Sequence, residues 1–299
     1  MIKNRICIVG SNGMLGQRII EFYSGLKNVE LFACSFENES FISDVNYLQI
    51  DITLQKDVQK LIHQFYPDYI INAAAFTNVD KCESEKELSW KVNVTGVENL
   101  VKYGGACDAH LIHISTDYVF DGKNGPYSEN DKPNPISSYG RSKLASENIL
   151  LSNKIKSTIV RTNVLYGPAK HGRPDFVKWV VGSLSANKEI KIVTDQINNP
   201  TFLDDLVQGI SKLIEFDKKG LYNIGGAEFL SRYDFTQRIA DYFNLDKSLI
   251  KKIVTSDLNQ PAPRPLKSGL INLKAETELG YKPHSIEESL LIISKELIF

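Results

Sequence analysis

A chain of 299 residues, 42% hydrophobic and 24% charged, has the makeup of an ordinary globular protein with room for one large domain or two lobes. A formal net charge of -1, with 35 basic residues in no long run, argues against nucleic acid or another polyanion as partner. No apolar run nears the ~20 residues of a membrane span, and Met1 to Gly10 lead into a strand without a signal-peptide layout, so the expected setting is cytoplasmic and free of membrane.

In chain order, short apolar runs alternate with helix-length amphipathic stretches, the pattern of parallel strands joined by crossover helices. Strands are predicted near Arg5 to Val9, Glu30 to Cys34, Tyr47 to Gln49, Tyr69 to Asn72, His110 to Ser115 and Ser157 to Arg161. Helices are predicted near Met14 to Leu26, Leu54 to Phe65, Lys86 to Ala106 and Ser138 to Leu151. After Arg161 loops rich in Gly and Pro take over, with helices near Tyr233 to Phe243 and Ser285 to Lys295. The helix Leu203 to Phe216 and the strand Leu221 to Ile224 read as a return to the sheet. The fold class is therefore α/β, a doubly wound parallel sheet of the Rossmann kind with a smaller discontinuous C-terminal substrate lobe. The domains divide as 1–165 plus 201–225 for the dinucleotide and 166–200 plus 226–299 for the substrate.

The first strand ends in Gly10-Ser-Asn-Gly13-Met-Leu-Gly16, where glycines permit a tight turn, close approach of a pyrophosphate and packing of the helix on the strand. Asn12, Met14 and Leu15 join these glycines as cofactor-binding candidates. The second strand ends at Ser35, where a ribose-binding carboxylate is usual, with Glu37 slightly beyond. NADPH is therefore the expected cofactor, and Glu37 keeps NADH open. Asp51 and Ile52 close the third strand and are placed either to hold adenine or to cap the turn before Thr53. Ala73, Ala74 and Ala75 end the fourth strand in small residues that admit a ligand, and Asn93 is placed to bond backbone or to hold a water in a proton relay.

Ser115-Thr116-Asp117 leaves the fifth strand on the same sheet edge, where a hydroxyl can bond a substrate oxygen. Tyr139 and Lys143, four residues apart, share a helix face, where the ammonium is expected to lower the phenol pKa and make it a proton donor. Cys7, Cys34, Cys82 and Cys107 lack metal-ligand spacing and read as reduced packing residues. His63, His110, His113, His171 and His284 show no mutual ligand spacing, so no metal is expected.

These motifs together resemble the extended short-chain dehydrogenase/reductases that modify nucleotide sugars. Longer stretches are similar to the dTDP-4-dehydrorhamnose reductase family. They include Asn72 to Lys81, Ser115 to Gly122, Pro126 to Glu129, Tyr139 to Leu144 with Glu147, Arg161-Thr162 with Tyr166-Gly167, Asp195-Gln196 with Pro200-Thr201, and Arg264-Pro265 with Ser268 and Leu270. The resemblance implies hydride transfer from NAD(P)H to the C4 ketone of a nucleotide-activated deoxysugar. Tyr139 would donate the proton, Lys143 would bind the nicotinamide ribose, and Thr116 would orient the ketone. Thr77, Val79 and Asp117 match the sugar pocket, and Arg264 with Lys267 would meet the diphosphate. Val164 stands where these reductases carry a tryptophan over the sugar, and the His171 to Phe176 loop also departs from their pattern, so the sugar is less fixed than the reaction. A homodimer is the assembly considered. Rival readings are an epimerase, a dehydratase disfavoured by Tyr118 in place of glutamate, and a non-catalytic partner similar to the regulatory beta subunit of methionine adenosyltransferase.

Overall fold

The computed structural model describes residues 3–296. Residues 1–2 and 297–299, the outer ends of the two expected domain ranges, lie outside the described residues. Seven strands form one parallel sheet: β1 (Asn4–Val9), β2 (Val29–Ser35), β3 (Asn46–Gln49), β4 (Tyr69–Asn72), β5 (His110–Thr116), β6 (Ser157–Thr162) and β7 (Gly220–Asn223). Their spatial order is β7-β6-β5-β4-β1-β2-β3. The order reverses between β1 and β4, and a crevice at such a switch point is where doubly wound sheets bind ligands.

The strands are apolar throughout because both faces are covered. On one face α1 (Met14–Ser24) packs with the later helix Leu203–Glu215, through Leu15, Ile19, Ile20, Leu206 and Ile210. On the other lie α2 (Gln55–Phe65) and α3 (Gly96–Ala106), with Val58, Leu61, Val97 and Leu100. The predicted single helix from Lys86 is interrupted by a π-helical turn, Lys91–Thr95. Such turns re-aim side chains, and this one aims Asn93. α4 (Ser138–Ser152) follows, its first turn capped by Ser137, whose Oγ accepts from the Gly140 N–H at 3.1 Å.

A third core joins the 166–200 region to the C-terminal third. Glycine and proline signals predict loops at 166–168, 172–174 and 198–201 and no helix between them, yet Val177, Val180, Val181 and Leu184 recur at helical spacing and bury one face of α5 (Phe176–Ser185). Asp175 caps it, accepting from Lys178 N–H at 3.0 Å. Into the same core pack α6 (Leu203–Glu215) by its neighbour Phe202, α7 (Arg232–Tyr242) by Phe235 and Ile239, and the C-terminal helix Ile286–Glu296 by Leu290 and Ile293. Among the described residues no helix is long and apolar enough to cross a membrane.

Candidate active site

Gly10 takes φ +81°, and a Cβ there would lie 2.6 Å from the Ala74 amide nitrogen. No other residue allows that turn together with that approach, which is also why β4 ends in alanines. α1 then starts with Gly13 at its N-cap, no side-chain cap and no acidic residue in its first turn. Its leading N–H groups are therefore uncapped by side chains, the arrangement that receives a phosphate.

Two cavities flank this turn. The smaller, about 270 Å³, is walled by Gly10, Gly13, Ser35, Glu37, Asp51, Ile52 and Ala73 to Ala75. Asp51 lines this cavity, and its Oδ1 accepts from the Thr53 N–H at 2.9 Å as the expected cap. Glu37 Oε2 accepts from Ser35 Oγ at 2.6 Å, so a carboxylate does stand beside Ser35 on this wall. Asn12 lies off the wall and braces the loop behind it, with Nδ2 donating to the Glu39 carbonyl at 2.8 Å and Oδ1 accepting from Phe41 N–H at 2.9 Å. Asn93 also lies off both walls. Its Oδ1 accepts from the Phe76 N–H at 2.8 Å and its Nδ2 donates to Ser142 Oγ at 2.9 Å, so it clamps the loop after β4 to α4, the backbone bonding that was one of its two expected tasks.

The larger cavity, about 480 Å³, brings Gly13, Met14, Leu15 and Gly16 together with Thr116, Tyr139 and Lys143. Tyr139 packs edge-on against Tyr118, ring centroids 5.6 Å apart. α4 and the turn after β5 can approach this closely because residue 140 is glycine: a Cβ there would lie 2.1 Å from the Tyr118 carbonyl oxygen. Ser115 and Thr116 part company here. Ser115 Oγ donates to the buried Glu147 at 2.5 Å, while Thr116 Oγ1 donates to Asp117 Oδ1 at 3.0 Å on the cleft wall.

The electrostatics differ from the expected acidic phenol. Burial raises the Tyr139 pKa above its ordinary value, the Asp117 carboxylate raises it further, and the Thr116 hydroxyl partly offsets both. Lys143 is turned to other acceptors: Nζ donates to the Ile114 carbonyl at 2.7 Å and lies 3.2 Å from His113 Nε2. Burial brings its pKa down to about 8, with Glu147 working the other way. Asp117, buried, is pushed up to about 6 although Ser268 Oγ and Thr116 Oγ1 both donate to it. Among the described residues no group of three or more His, Cys, Asp or Glu could hold a metal ion.

Thr77, Val79, Asp117 and Val164 line the larger cavity as expected candidates for a substrate. Val164 sits at φ +23°, a conformation a β-branched residue rarely takes, and is held by Thr201 N–H on its carbonyl at 3.1 Å. Arg264, expected at the diphosphate, lines a further cavity beside this one with its guanidinium forked onto Asp80, Nη1 and Nη2 each at 2.7 Å. Gln196, Asn198, Ser268 and Arg232 also reach this wall. Arg232 was missed from sequence, though a cation opening a helix right after a serine cap was a legible anomaly.

A doubly wound sheet with an uncapped glycine turn at its switch point, facing a threonine, a tyrosine and a lysine one helical turn further on, defines an extended short-chain dehydrogenase/reductase. Residues 4–298 match the family model described as the RmlD substrate binding domain, and the chain belongs to that family. It is 35% identical to a dTDP-4-dehydrorhamnose reductase from Aggregatibacter actinomycetemcomitans, over 96% of this chain and 97% of that one. A crystal structure of dTDP-4-dehydrorhamnose reductase from Bacillus anthracis str. Ames in complex with NADP superposes with a TM-score of 0.87 at 32% identity, covering 99% of this chain and 100% of the other. The chain is also 32% identical to methionine adenosyltransferase 2 subunit beta of Rattus norvegicus, over 92% of this chain and 82% of that protein.

Proposed function

We propose that this protein is a reductase that moves a hydride from NADPH, with NADH as the alternative, to the C4 ketone of a nucleotide-activated deoxysugar, most specifically dTDP-4-dehydro-L-rhamnose. The observation that carries this is the sharing of one cavity by the glycine turn and by Thr116, Tyr139 and Lys143. When bound, the nicotinamide would supply the hydride. Gly10, Gly13 and the start of α1 would hold its diphosphate, Tyr139 would give the proton to the new hydroxyl, and Thr116 would orient the ketone oxygen. Lys143 would bind the nicotinamide ribose, which requires its Nζ to leave or share the Ile114 carbonyl. The same reading places the enzyme in the cytoplasm as a homodimer; four unpaired thiols, three of them buried, fit a reducing compartment.

The test is NADPH oxidation across a panel of nucleotide 4-keto-sugars. Turnover with dTDP-4-dehydro-L-rhamnose is expected, and no oxidation with any member overturns the reading. The likeness to the methionine adenosyltransferase subunit supports a purely binding role instead, which the same assay separates. Cofactor choice gives a second prediction. Glu37→Ala removes the carboxylate beside Ser35 that would repel a 2'-phosphate, so the ratio of kcat/KM for NADPH over NADH should rise about tenfold. An unmoved ratio would take Glu37 out of cofactor selection.

A further inference from the structure

Arg232 is a half-buried cation, with one guanidinium nitrogen sealed from solvent, that the reaction as described does not use. It opens α7, whose cap is Ser231, so its charge adds to the positive end of the helix dipole when the dipole disfavours a cation there. Its guanidinium lies over the Phe176 ring, 4.7 Å from the centroid. Nη1 is shut off from solvent and has no hydrogen-bond partner among the described residues. Asp117 and Tyr118 act on it only through space, and both Asp117 oxygens are occupied by Thr116 and Ser268. A guanidinium N–H sealed from water without an acceptor is costly, so a cation held this way on a cavity wall points to an anion that arrives with the ligand.

Its position tells which anion. Arg232, Val164 and Gln196 line both the catalytic cavity and a second one of about 710 Å³ that opens beyond it. The second cavity adds Arg173, Lys191 and Trp179. Asp175, the carboxylate on its wall, is spent on the N–H groups of Lys178 and Gly167. Arg264 there is already paired with Asp80, as described above. A substrate with its ketone at Tyr139 must therefore pass Arg232 to reach a basic, aromatic chamber.

We propose that Arg232 is the specificity-determining residue that grips the diphosphate of the nucleotide sugar at the neck between the two cavities, a role the sequence had given to Arg264. This rests on the nucleotide-sugar reading of the same site. The geometry asks for an acceptor with several oxygens, which a phosphoryl group offers to Nη1 and to the other guanidinium N–H groups.

The experiment is calorimetry on the protein saturated with NADP⁺, so that the glycine turn cannot take up the probe. The probes are dTDP, UDP and inorganic pyrophosphate, with thymidine as the uncharged control. Arg232→Met keeps the packing on Phe176 and should weaken the diphosphates by ~10- to 100-fold while leaving thymidine unchanged, and Arg232→Lys should recover part of the loss. Unchanged diphosphate affinity in Arg232→Met overturns the proposal. So does an equal loss for dTDP and thymidine, or wild-type protein that binds none of the diphosphates. The ketone-reduction panel is scored separately on wild-type protein, so a missing substrate there does not count against Arg232, nor does a failed Arg232 test count against reduction.

Discussion

Replacing Tyr139 by phenylalanine should lower kcat by ~100-fold or more, because a positioned proton donor contributes about that much to carbonyl reduction. The ring would remain against Tyr118, so the fold and the cofactor cleft should be undisturbed. NADPH affinity, followed by quenching of protein fluorescence, is expected to stay within about twofold of wild type, since the hydroxyl alone is removed. Turnover that survives the substitution would remove the phenol from the chemistry. The phenol is held above its ordinary pKa by burial and by Asp117, so it is protonated across the neutral range and ready to donate. Proton donation suits such a group better than proton abstraction, which fits reduction as the working direction.

The second large effect is on stability. Glu147 sits on α4, one turn beyond Lys143, and is wholly buried between α4 and the sheet. It accepts from Arg161 Nε at 2.9 Å and Nη2 at 2.7 Å, and from Ser115 Oγ at 2.5 Å, tying α4 to β5 and β6 together. Arg161 is 3% exposed, lies over the Phe120 ring and has no partner for Nη1 among the described residues. Glu147→Ala therefore strands a buried guanidinium, and unfolding in urea should show a loss of about 3–5 kcal/mol. The double replacement Glu147→Leu with Arg161→Leu should regain most of it, because removing both charges also removes the desolvation penalty. A single variant as stable as wild type would mean that Arg161 finds water or another acceptor. The same helix carries Tyr139 and Lys143, so this ion pair also sets how firmly the proposed proton donor is placed.

The strands and the crossover helices could be read from the chain because a parallel sheet covered on both faces writes itself as short, wholly apolar runs. Gly10 and the Ala73 to Ala75 run were legible for the same local reason: close backbone approach excludes larger side chains, and the exclusion leaves a mark in the sequence. The helix at Phe176–Ser185 was lost among glycine and proline signals on its flanks, although its apolar spacing was there. Asn93 was noticed as a polar residue on a packing face, but only the π-helical turn decides that its amide meets Phe76 and Ser142.

What the sequence determined by itself was the order of elements, the glycine turn and the residue types set along one sheet edge, since each depends on neighbours a few positions away. The tertiary structure alone decided how charges were paired across long separations: Arg264 with Asp80, Arg161 with Glu147, Lys143 turned to the Ile114 carbonyl, and Arg232 left with no carboxylate. An ion pair leaves no periodic trace along a chain, and its energy depends on burial and on distances of a few ångströms, which only the packed fold sets.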